Sequence, residues 1–91
     1  MRFEWDEAKR RANLHRHGFD FVDGEKVFAG ETARFVDDRF DYGETRFVTI
    51  GMLDGRVVAV IHTETDEVTR VISIRKALKD EEETYFNEIR N

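Results

Sequence analysis

Three stretches rich in β-branched residues, Arg46 to Leu53, Arg56 to Thr65 and Val68 to Arg75, follow one another with only two short breaks. Such side chains are stiff at χ1 and pack well on a pleated surface, so each stretch reads as a strand. The first break is Asp54-Gly55, and both central positions of a type I′ turn need positive φ, which this pair tolerates. Thr65-Asp66-Glu67 makes a second turn. With Ala33 to Asp37 as a further strand, the spacing predicts a four-stranded antiparallel sheet built as a meander.

The flanks have helical character. Phe3 begins a short N-terminal strand or extended arm, and Asp6 is suited to cap a helix over residues 7–17 that closes at Gly18. Asp20 can cap a second short helix through Phe21, Val22, Val27 and Phe28, ending near Gly30, although Gly24 weakens it by about 1 kcal/mol relative to alanine. From Leu78 and Lys79 onward, the apolar positions Leu78, Tyr85, Phe86 and Ile89 follow helical spacing, and Asp80 to Glu83 sit where a helix N-terminus favours negative charge. The order β-α-α-β-β-β-β-α predicts an α+β fold with two N-terminal helices and one C-terminal helix on one face of the sheet, leaving the other face partly open. Strict alternation from Arg70 to Arg75 sets Ile72 and Ile74 on one side and Val71, Ser73 and Arg75 on the other, so Arg75 points away from the core.

A chain of 91 residues is expected to form one domain over residues 1–91. Eight phenylalanines and 40% hydrophobic residues support a globular core although 38% of residues are charged. Without cysteine there is no disulfide, thiolate metal site or cysteine nucleophile, and with only three scattered histidines neither metal nor other cofactor is expected. No secretory signal and no apolar run of about eighteen residues is present, so a cytoplasmic protein with no membrane contact is expected. The net charge of −5 works against nucleic-acid binding. It is unevenly spread: residues 1–18 hold five Arg/Lys and three acids, whereas residues 77–91 hold two and five.

Three separated motifs carry a resemblance. Phe3-Glu4-Trp5-Asp6 with Lys9, Asn13 and His17-Gly18, then Tyr42-Gly43-Glu44 with Arg46, then Arg70 to Ala77, together resemble the BrnT family of toxins in their order and spacing. The resemblance implies a RelE-like fold, metal-independent endoribonuclease activity that inhibits translation and growth, and neutralisation by a BrnA-like antitoxin. DNA would be contacted only indirectly, through that antitoxin. The chain departs from the pattern at Phe40-Asp41, where relatives carry a His-Ser-like pair, at Thr45 in place of glutamate, and at Leu78, where a threonine able to cap the last helix is common.

RNA cleavage without a metal needs a base for the 2′-hydroxyl proton, cations for the charged phosphorane and an acid for the leaving oxygen. Arg46 and Arg75 suit the second role because a guanidinium stays charged and grips two phosphate oxygens; Lys76 is a weaker candidate beside them. The alternative is structural: Arg46 pairs with Glu44 or Asp37, and Arg75 lies along the sheet. His62 is the candidate for proton transfer, yet it shares a strand face with Val58 and Val60 and equally suits a hydrogen-bonded histidine beside the core. Asp6, Lys9, Asn13 and His17 form one polar stripe on the first helix, suited to RNA, to an antitoxin or to solvent. Tyr85 could stack on a base or pack against Phe86 and Ile89, while Trp5 and Phe3 read as core anchors. The expected site is therefore Arg46, His62 and Arg75 for catalysis, with Lys9, Arg46, Arg75, Lys76 and Tyr85 contacting RNA. The competing reading is a catalytically weak or inactive module that keeps the toxin fold and its antitoxin interface.

Overall fold

A computed structural model describes residues 2–38 and 43–90. Strand β1 (Arg2–Glu4) leads into helix α1 (Glu7–His17). Asp6 accepts a hydrogen bond from the Lys9 amide at 3.1 Å, and Gly18 closes α1 at φ 79° with its N–H donating to the Leu14 carbonyl, as the sequence predicts. Asp20 likewise caps the next element, accepting from the Val22 amide at 3.1 Å. That element is a 3₁₀ turn (Phe21–Asp23) running into helix α2 (Gly24–Ala29), so the expected second helix is split at Gly24. Gly24 is buried against Val71 and Ile74.

Strands β2 (Ala33–Asp37), β3 (Arg46–Leu53), β4 (Arg56–Glu64) and β5 (Val68–Lys76) form the predicted antiparallel meander, and helix α3 (Lys79–Arg90) completes the chain. The turn between β3 and β4 has φ 51° at Asp54 and 81° at Gly55, the type I′ signature expected of that pair.

Three expectations are corrected. The sheet has five strands and is mixed: of the two readings of the N-terminus the strand holds, and Arg2–Glu4 pairs in parallel with β5, with Phe3 opposite Thr69, giving the order β1-β5-β4-β3-β2. The helices do not share one face. α1 and α2 cover a core of Phe21, Val27, Val58, Val60, Val71 and Ile74, whereas α3 lays Tyr85, Phe86 and Ile89 over Val48, Ile50 and Ala59 on the opposite side. Burying both faces removes more apolar area from water than one layer of helices could.

The third correction is the alternation in β5. Ile61 pairs with Ser73 but His62 pairs with Val71, so Ile72 is an extra residue in a β-bulge. The bulge lets Val71 and Ile74 enter the same core while Ile72 packs toward α3. Arg75 does lie on the face opposite Ile74, but that face is roofed by α3.

Candidate functional site

The bulge also lies beneath a cation-lined concavity. β1 covers only Val68–Arg70 of β5, leaving the strand edge beyond it without a strand partner among the described residues. Asn13 fills that gap: its side-chain amide donates to the Ile74 carbonyl (2.9 Å) and the Phe19 carbonyl (3.0 Å), and its oxygen accepts from the Ile74 amide (3.2 Å) and the Ser73 hydroxyl (3.1 Å). All four hydrogen-bonding positions of the amide are used, so a single side chain behaves as one more strand residue and fixes α1 against β5.

Helical spacing does the rest. Lys9 lies one turn before Asn13, and Arg16 and His17 one turn after it, so the three flank a cleft of about 190 Å³ floored by Asn13, Ile72 and Ser73. Neither Lys9 nor Arg16 has an acidic partner among the described residues, in contrast to Arg10, which is tied to Glu7 (2.6 Å) and Asp20 (3.0 Å). Such a cleft can hold an anion, with an imidazole and a hydroxyl beside it. Within the polar stripe, Asp6 is spent as the N-cap and Asn13 as the anchor, which leaves Lys9 and His17 for the cleft. Arg16 and Ser73 were not foreseen: Arg16 would follow from its i+3 relation to Asn13, but Ser73 depends on a bulge that alternation conceals.

The other expected residues are dispersed. His62 is fully buried: Thr49 Oγ1 lies 2.7 Å from its Nε2, Phe28 meets the ring edge-on at 5.0 Å and Phe47 stacks at 5.8 Å. Burial pulls its pKa down to about 4, opposed by Glu64 at 3.6 Å from Nδ1, so the ring is neutral near pH 7. Arg34 reinforces that state by pairing with Glu64 at 2.9 Å while lying 3.8 Å from the centre of the Phe47 ring.

Arg75 and Arg46 lie on the α3 face of the sheet, away from His62. Arg75 makes a two-pronged contact with Glu81, at 2.7 and 3.0 Å. Arg46 stands opposite Asp37 in the ladder, with its Nε 3.8 Å from Glu44 Oε1. Lys76 is exposed in a shallow groove with Lys79, Glu82 and Phe86. Tyr85 is buried, with its ring 5.3 Å from that of Phe86, and burial raises its phenol pKa. Tyr42 of the second motif and the Phe40-Asp41 departure fall outside the described residues. Trp5 and Phe3 pack against the α1/α2 core, as anchors should.

Leu78 does not leave α3 uncapped. Glu81, the third residue of the helix, reaches back to accept from the Leu78 amide at 2.8 Å, the glutamate half of a capping box.

Residues 5–81 match the model of a family described as the ribonuclease toxin BrnT of type II toxin-antitoxin systems. No curated protein matches the chain. This match defines the class: a ribonuclease toxin of a type II toxin-antitoxin system, which implies an RNA target and an antitoxin partner. Within that class, the chain belongs to the BrnT family, as its three motifs lead one to expect.

Proposed function

We propose that residues 1–91 act as one RelE-like domain that cleaves single-stranded RNA without a metal, with the RNA backbone seated in the cleft between α1 and β5. The observation that carries this reading is the convergence of Lys9, Arg16 and His17 over Ser73, with neither Lys9 nor Arg16 neutralised by a described acid. Lys9 and Arg16 hold phosphate oxygens and His17 exchanges a proton with the reacting 2′-hydroxyl or the leaving oxygen. Arg46, whose side chain is about one-fifth exposed, remains the candidate for a further phosphate contact, as does the exposed Lys76. Arg75, His62 and Tyr85 serve the reaction by holding the scaffold, since each is already engaged inside it. A BrnA-like antitoxin neutralises the toxin and supplies any contact with DNA.

The test is a cleavage assay on a labelled single-stranded RNA in EDTA, with the purified chain beside His17→Ala and a Lys9→Ala/Arg16→Ala double variant. Cleavage by the wild type that His17→Ala abolishes, and that the double variant loses through weaker binding, supports the reading. Cleavage that appears only when a divalent metal is added overturns metal independence. A folded wild type that neither binds nor cuts RNA favours the protein-binding alternative.

A further inference from the structure

The sheet ends on its far side at β2, three strands away from β5, and among the described residues only β3 pairs with it. Alternate residues of an edge strand direct N–H and C=O groups outward, and proteins usually guard such an edge with a charged side chain, a proline or a covering segment. β2 reads Ala-Arg-Phe-Val-Asp, and its mid-strand charge gives little protection because Arg34 is drawn across the sheet onto Phe47 and Glu64. Phe35 is 39% exposed and Val36 53% exposed, one on each face of this edge. Leu78, 52% exposed, faces Phe35 across a groove of about 210 Å³ between β2 and the start of α3. Asp38 and Asp80, both exposed, rim the groove.

We propose that this edge and groove are where the antitoxin docks, through an extended segment that alternates apolar and basic residues and adds to β2 as a sixth strand. The inference rests on the reading that the chain has an antitoxin partner. A row of outward backbone groups over five residues, about 17 Å, fits an extended peptide better than a helix. The apolar side chains on both faces accept alternate residues of the incoming strand, and the acidic rim selects a basic one. A second copy of this chain is disfavoured, because it brings a net charge of −5 to an edge rimmed by Asp38 and Asp80. RNA is disfavoured by the same acids. Because β3 and β4 separate β2 from the α1–β5 cleft, the docked strand itself leaves that cleft uncovered, and neutralisation falls to parts of the partner that continue beyond it.

The probe is a synthetic peptide of alternating arginine and valine, titrated into the isotopically labelled full chain and followed by amide NMR, with an alternating glutamate and valine peptide as the control. Binding of the basic peptide should shift the amides of residues 33–38 and 78–81 and slow hydrogen exchange on β2. Val36→Lys and Leu78→Asp, both surface changes whose intact fold the spectrum itself reports, should each weaken it at least tenfold. Equal binding of the acidic peptide, shifts centred on Lys9, Arg16 and His17, undiminished binding to either variant, or no binding at all overturns the proposal. So does a wild-type dimer that Val36→Lys dissolves, which would assign the edge to a second copy. No outcome reads RNA cleavage, so the docking surface and the ribonuclease reading fail separately.

Discussion

Arg75 on β5 and Glu81 on α3 meet through two parallel hydrogen bonds, of 2.7 and 3.0 Å, with side chains only 19% and 9% exposed. The same carboxylate accepts from the Leu78 amide, so one glutamate both anchors the last helix to the sheet and caps its first turn. A guanidinium held this way is oriented by the protein's own carboxylate, which is the arrangement an RNA phosphate would otherwise have to compete with.

Removing the carboxylate charge should therefore be costly. Glu81→Gln is expected to lower the unfolding free energy by about 3 kcal/mol, and Arg75→Ala by a similar amount because Glu81 stays buried without its partner. In urea denaturation, the Arg75→Ala/Glu81→Ala pair should cost less than the sum of the two single changes. Strict additivity would show that the fork contributes nothing. An Arg75→Ala protein that stays folded yet loses RNA cleavage would assign Arg75 a direct role in the reaction.

His62 makes stability depend on pH. Its folded pKa of about 4 lies below the ordinary histidine value of about 6.5, because burial disfavours the charged ring. As pH falls from about 6.5 to about 4, the unfolded chain takes up a proton that the folded chain refuses, so the native state loses about 3 kcal/mol across that window and nothing above it. The difference in unfolding free energy between wild type and His62→Gln should change over this range and be flat from pH 7 to 8. A difference that does not vary with pH would mean that the ring protonates as readily in the folded state as in the unfolded one.

Gly51 is a matter of space. A Cβ built there would lie 2.8 Å from Val27 Cγ1 and 3.3 Å from Thr32 Cγ2, so α2 rests almost directly on the β3 backbone. Gly51→Ala is expected to destabilise by about 1–3 kcal/mol, seen as a lower thermal midpoint, with Val27→Ala in the same chain recovering part of the loss. An unchanged midpoint would show that the helix shifts away without cost.

Lys9 and Arg16 should govern the salt dependence of RNA binding. For single strands, each phosphate contact steepens the plot of log affinity against log salt by about 0.7. Lys9→Ala and Arg16→Ala should each make that slope shallower by roughly this amount, whereas Lys26→Ala, on α2 and 3.3 Å from Asp23, should leave it unchanged. Equal slopes in all three variants would move the RNA to another face.

Much of the fold is written in local sequence. The caps at Asp6 and Asp20, the positive-φ Gly18 and the Asp54-Gly55 turn work through contacts only a few residues long, and each appears where the sequence places it. The family was legible too: the resemblance read from three separated motifs agrees with the family model that residues 5–81 match. The candidate site was legible only in part. Lys9 and His17 stood out as a stripe on one helix, but the neighbours that turn the stripe into a cleft come from about 60 residues away.

What the sequence by itself determined, then, is what short-range physics sets: strand and helix propensity, turn chemistry and caps. Tertiary structure decided the parallel seat of Arg2–Glu4, the bulge at Ile72, the placing of α3 on the face that alternation left open, and the pairing of Arg75 with Glu81. Each of these depends on which apolar surfaces must be buried together and which backbone groups must find a partner, and those demands are met by residues distant in the chain.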